Sequence, residues 1–150
     1  MRVGDIAEQL LIETLVSYGF EATKNEDKES RSFFDVVAKI TGRVVTFEVK
    51  HDVMAAKTGN LAIEYYNSKS QKDSGINITK ADYWVHIVSD KEDKDKKLIL
   101  ISRVSELKEF IKNTKPKRKI VGGGDKNADI LLFTQESMTC FQPISHLYFT

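Results

Sequence analysis

Three charged residues interrupt the most β-prone stretch of the chain, FFDVVAKITGRVVTFEVK (33–50): Asp35 near its start, then Glu48 and Lys50 at its end. Two carboxylates and an amine set among apolar residues on a half-buried sheet cost several kcal/mol of desolvation unless something compensates. A divalent cation would offset that cost. An all-oxygen site suits Mg²⁺, or Mn²⁺ in its place, and Mg²⁺ keeps waters and a substrate phosphate beside one or two carboxylates. The amine adds what a cation cannot: it can hold or help deprotonate an attacking water and offset charge building on phosphorus. The chemistry implied is hydrolysis of a phosphate ester.

That chemistry needs the three groups on one face. Side chains alternate along a strand, so Asp35, Val37 and Lys39 share a face, and Glu48 and Lys50 share one on the second strand. A two-residue turn at Gly42 and Arg43 pairs Thr41 with Val44, and counting back sets Asp35 against Lys50 and Val37 against Glu48. A three-residue turn would send Asp35 to the other side of the sheet. Directly opposed Cβ atoms are roughly 5 Å apart, and diagonal ones roughly 7–8 Å, close enough for two carboxylates to share one cation.

The opening helix carries a second oddity. At about 100° per residue, Glu8 falls inside the apolar arc of Leu11, Leu15 and Ile12, while Gln9 and Glu13 take the polar side. A carboxylate facing a core needs a partner, either a shared cation or a lysine at the core edge.

The remaining elements follow from pattern. A helical period over 2–18 ends at Gly19. After the polar loop KNEDKESRS comes the hairpin of 33–50, then a third strand over 61–66. Thr79 with Asp82 suggests a capping box and a brief helical turn. YWVHIV (83–88) and KLILIS (97–102) are strands joined by a charged loop. An amphipathic helix spans 102–113 before Pro116, and the tail adds strands around Gly122–Gly124. These elements predict one α/β (α+β) domain over 1–150, with a mixed sheet flanked by helices.

Other candidates are weaker. Glu64, on the third strand, could add a ligand or orient Lys50. His51 points away from Lys50, and His86 sits in an apolar strand as a core histidine. Gly122-Gly123-Gly124-Asp125-Lys126 lacks the GxxxxGK[ST] pattern of a phosphate loop and reads as a glycine turn. KPKRK (115–119) is the densest basic run.

Asp35 followed thirteen residues on by Glu48-Val49-Lys50, on consecutive strands behind an N-terminal helix, resembles the signature of the PD-(D/E)XK nuclease superfamily. Phe34 stands where that signature has proline. The tripeptide alone carries nothing, because Glu26-Asp27-Lys28, Glu92-Asp93-Lys94, Asp95-Lys96-Lys97 and Glu106-Leu107-Lys108 match it without an aspartate one strand earlier. The resemblance implies a restriction-endonuclease-like core and a Mg²⁺-dependent DNA endonuclease. Asp35, Glu48 and the Val49 carbonyl would hold the cation, Lys50 the water, and Glu8 would complete the site, through water if need be. It implies DNA as partner, a homodimer, and a structure-specific substrate such as a Holliday junction. A restriction-type or phage-type duplex endonuclease is the alternative, and a non-catalytic binding module a further one. Lys57, Lys69, Lys72, Lys80, Lys117 and Arg118 are the candidates for contacting the DNA backbone.

Composition sets bounds on this reading. The formal net charge over 150 residues is +1, so DNA attraction must come from local clusters of charge. The single cysteine, Cys140, precludes an internal disulfide and a cysteine-rich zinc site, and fits a reducing compartment. No apolar run nears the roughly 20 residues of a membrane span, and the residues after Met1 do not read as a signal-peptide h-region. The expectation is a cytoplasmic protein of a prokaryotic or phage-infected cell.

Overall fold

The computed structural model describes residues 3–90, 92–93, 95–122 and 127–149, with the side chain of Val3 left aside. Helix α1 (Val3–Ser17) leads into β1 (Glu21–Lys24), β2 (Val36–Ile40) and β3 (Arg43–His51). A four-residue helix α2 (Ala55–Thr58), then β4 (Asn60–Asn67) and β5 (Lys72–Asp73), precede β6 (Tyr83–Ser89) and β7 (Lys97–Arg103). Helix α3 (Val104–Asn113), β8 (Arg118–Gly122), β9 (Ala128–Thr134) and β10 (Gln142–Pro143) complete the chain. Six strands form one sheet in the order β1-β2-β3-β6-β7-β10; four form another in the order β5-β4-β9-β8. All pairings are antiparallel except β3 with β6. This is the mixed α+β architecture the sequence predicts.

Helix α1 ends where glycine allows it. Gly19 adopts φ 91°, its N–H donates to the Val16 carbonyl, and the Phe20 N–H reaches back to Leu15, the pair of bonds that closes a Schellman cap. Ala7, Leu11 and Leu15 then pack on one face of the six-stranded sheet, against Val36, Ala38, Phe47, Val49, Val85 and Ile87. The opposite face of that sheet presents Trp84, Val88 and Leu100 to Leu61, Ile63, Leu131 and Phe133 of the second sheet and to Val104 and Leu107 of α3. Strand β6 is therefore covered on both sides, which is why YWVHIV is apolar without alternation. Among the described residues no helix is long and apolar enough to cross a membrane.

The hairpin register differs from the sequence expectation. Ile40 pairs with Arg43, so the turn residues are Thr41 and Gly42, and Val36 faces Phe47. Both turn residues have positive φ, 50° and 80°. With both residues left-handed, Gly42 takes the second turn position; a turn at Gly42 and Arg43 would have suited glycine equally, at its first position, so local turn chemistry did not distinguish the two registers. The correction moves Asp35 from opposite Lys50 toward Glu48. It moves the pairing by two residues and so leaves every side chain on its expected face.

Two other expectations need correction. Strand β1 was not evident in the sequence. Thr79 and Asp82 open no helix: Thr79 Oγ1 donates to the Phe33 carbonyl, and Asp82 Oδ2 accepts from the Thr46 N–H and hydroxyl. They tie the segment before β6 onto the hairpin. The glycine turn falls on Gly123, Gly124, Asp125 and Lys126, which lie outside the described residues.

Candidate active site

Asp35 sits where β2 and β3 part. The ladder ends at Val36 and Phe47; beyond it the Asp35 N–H donates to the Phe47 carbonyl at 2.8 Å. The next rung is made by the side chain, as Asp35 Oδ2 accepts the Val49 N–H at 2.8 Å. On its other flank the Asp35 carbonyl accepts from the Asn25 N–H at 2.8 Å. Asp35 is thereby fixed on both sides, and its carboxylate is held against the strand that carries Glu48 and Lys50.

Glu48 is 8% exposed, and Lys50 Nζ lies 3.2 Å from its Oε1. Behind them the parallel ladder sets Trp84 beside Glu48 and His86 beside Lys50, with the ammonium 5.5 Å above the Trp84 ring. Burial pushes the Glu48 carboxyl up, Lys50 pulls it down, and the neighbouring Asp35 pushes it up again, so that it titrates at about 7. For Lys50, burial favours the neutral amine, but the charges of Glu48, Asp35 and Glu64 outweigh it, and the group lies above its ordinary value. Lys50 is thus a cation near neutral pH.

Glu8 approaches from the other side of the sheet, at the edge beside Asp35. Lys24 donates to Asp5 Oδ1 at 2.8 Å and lies 3.4 Å from Glu8 Oε2, a buried atom without a well-aligned hydrogen bond. Burial raises the Glu8 carboxyl above its ordinary value; the charge of Asp35 raises it further, and Lys24 counters in part. Glu8 therefore senses Asp35 electrostatically while paired with a lysine at the core edge. Among the described residues no three carboxylate, imidazole or thiol groups converge as a metal cage.

The donor set still suits a hard cation. Asp35, Glu48 and the Val49 carbonyl offer oxygen alone, and a buried carboxyl kept protonated to about 7 beside a second carboxylate has unmet need of positive charge. Two carboxylates leave the other positions to water and substrate, as Mg²⁺ prefers.

Beyond Lys50 the same row continues to Asp52, which sequence reasoning passed over although Glu48, Lys50 and Asp52 alternate strictly. Asp52 Oδ2 accepts the Ala62 N–H at 3.0 Å and lies 3.4 Å from Nδ1 of the fully buried His86. Burial opposes the charge of Asp52, but His86 and the Ala62 N–H prevail and hold its carboxyl below the ordinary value. A groove of about 230 Å³ opens here between Lys50, Asp52 and Glu64, with His51 at its rim. Glu64 reaches Lys50 through its charge.

The basic candidates are exposed but dispersed. Lys57 is on α2, and Lys69 and Lys72 lie at the β4–β5 turn on one edge of the second sheet. Arg118 opens β8 on the opposite edge of that sheet, with Lys117 just before it. Lys80 covers the Phe33 ring at 4.3 Å. They form no single patch. Lys24, Lys28 and Arg31, which the sequence left in a polar loop, border a groove with Glu8 instead.

No protein-family model matches the chain, and no curated protein does. Among solved structures, the bacterial homing endonuclease I-Ssp6803I is similar, with a TM-score of 0.53 and 19% identity over 84% of this chain and 85% of that one. At that identity the likeness is one of fold.

Proposed function

We propose that this chain, which shares its fold with a homing endonuclease, is itself a DNA endonuclease of the PD-(D/E)XK kind and hydrolyses phosphodiester bonds. The observation that carries the reading is the convergence of Asp35, Glu48 and Lys50 at the parting of β2 and β3, with the Glu48 carboxyl titrating at about 7. Mg²⁺, or Mn²⁺ in its place, would be held by Asp35, Glu48 and the Val49 carbonyl, with Glu8 joining through water. When bound it supplies charge that lowers the pKa of a coordinated water and offsets charge on the phosphate.

The chain's own residues do the rest. Lys50, held as a cation by Glu48, donates a hydrogen bond to the attacking water or a phosphate oxygen and stabilises charge that grows as the new P–O bond forms. As a cation it orients this water more than it deprotonates it. Asp35, pinned by the Val49 N–H, keeps the two strands at a fixed spacing beneath the substrate. The buried Trp84 excludes water behind Glu48, which strengthens every charge interaction in front of it.

Branched DNA such as a Holliday junction is the first substrate proposed, cut by a homodimer with two opposed sites. The fold shared with a homing endonuclease supports a second reading, a duplex endonuclease. The test is cleavage of junction, flap, duplex and single-stranded DNA with Mg²⁺, with Mn²⁺ and with EDTA, beside Lys50→Ala. Cation-dependent cutting that Lys50→Ala strongly lowers is expected. Cutting by Lys50→Ala at the parental rate, or binding without any cutting, refutes the mechanism.

A further inference from the structure

The loop 25–34 does more than join β1 to β2. Asp27 accepts the Arg31 N–H at 2.9 Å through its carbonyl and the Ser30 hydroxyl at 2.9 Å through Oδ2. Asn25 Nδ2 donates to Ser30 Oγ and to the Phe34 carbonyl, each at 3.1 Å, and the Asn25 N–H holds Asp35 itself. Inside this pinned frame stand two exposed cations, Lys28 and Arg31, that no ion pair among the described residues engages. They face the start of α1 across an open groove of about 650 Å³, whose far wall is Asp5 and Glu8 bridged by Lys24.

Charge and position together suggest the occupant. Among the side chains that line the groove, Lys24, Lys28 and Arg31 outnumber Asp5 and Glu8, while Glu26, Asp27 and Glu29 of the same loop are not part of its lining. Ser32 adds a neutral donor along its wall. A loop fixed by side-chain hydrogen bonds loses little freedom when it binds, which favours a site over a merely solvated turn. Glu8 borders the groove, and the loop that forms its other wall is tied to the candidate site by the Asn25 N–H, which donates to the Asp35 carbonyl at 2.8 Å.

We infer that this groove seats a backbone phosphate of the DNA next to the one being cut, gripped by Lys28 and Arg31. Lys24 acts as the hinge of charge between groove and site, pairing Glu8 and Asp5 until the phosphate arrives. The inference rests on the nuclease reading above for its ligand, and it assigns the positioning of DNA to a loop distinct from the dispersed lysines of the second sheet.

Fluorescence anisotropy tests it, with labelled duplex and four-way-junction DNA, Ca²⁺ in place of Mg²⁺, and KCl varied. The chains compared are the parent, Lys28→Ala/Arg31→Ala, and Lys108→Ala/Lys112→Ala on α3 as control, with cleavage by the parent measured in parallel. The double groove variant should bind about ten-fold or more weakly and lose about two from the log K against log salt slope. The α3 control should match the parent. A parent that cuts while the groove variant keeps parental affinity and slope overturns the groove alone. A parent that binds but never cuts, with binding lost in the groove variant, keeps the groove and removes the nuclease. A parent that neither binds nor cuts removes both.

Discussion

Replacing Glu48 with glutamine should make the chain more stable at pH 8, in the absence of divalent cations. In the folded state the Glu48 carboxyl titrates at about 7, against 4.5 for an ordinary glutamate, with burial the leading cause. Between those values the folded chain holds a proton that the unfolded chain releases, so stability falls as pH rises through the interval. The interval corresponds to about 3 kcal/mol, a large share of the roughly 5–15 kcal/mol that holds a typical domain together. Glu48→Gln keeps the side-chain volume and removes the buried charge, leaving Lys50 to the charges of Asp35 and Glu64. The assay is urea unfolding from pH 4 to 9 in EDTA. The parent should lose stability from about pH 5 upward, and Glu48→Gln should be flatter and cross above it near neutral pH. Mg²⁺ added at pH 8 should raise the parental midpoint and leave that of Glu48→Gln almost unmoved. A parental midpoint level across the range, or a variant of equal slope, refutes the claim that this carboxyl is strained by burial beside a second carboxylate.

Three further outcomes follow from the same geometry. Lys50→Ala should lower cleavage by about 10²–10³ while far-ultraviolet dichroism stays parental, because the lost group acts on charge developing in the transition state. Asp35→Ala should lose activity and also about 1–3 kcal/mol of stability in EDTA, since the Val49 N–H loses its acceptor; urea midpoints measure this. Thr41→Asn should raise stability by about 0.5–1 kcal/mol in the same assay, because asparagine tolerates the left-handed backbone of the first turn position better than a β-branched residue.

Local pattern explains what could be read from the sequence. The period of Ala7, Leu11 and Leu15 and the alternation of 33–50 are strong signals because each is satisfied within its own element. The common face of Asp35, Glu48 and Lys50 was robust for a simple reason. Sliding a two-residue turn by one position changes pairing by two, and side-chain faces repeat every two residues. Which residues pair was not robust, because Gly42 suits the second position of one two-residue turn and the first position of the other. Strand β1 was invisible: EATK holds no apolar run, and it is a strand because β2 offers it an edge. Thr79 and Asp82 looked local but bond to Phe33 and Thr46, far back in the chain. The same distance hid Lys24, whose carboxylate partners belong to the first two turns of α1.

The chain contains one tryptophan, and it is Trp84, buried beneath the carboxylates with the Lys50 ammonium over its ring. An indole in that place is an optical probe supplied by the chain itself. Any event that moves charge above it, whether protonation of Glu48 or withdrawal of Lys50, shifts the electric field across the chromophore. Emission colour and intensity therefore report occupancy of the site directly, with no label attached and no cleavage required.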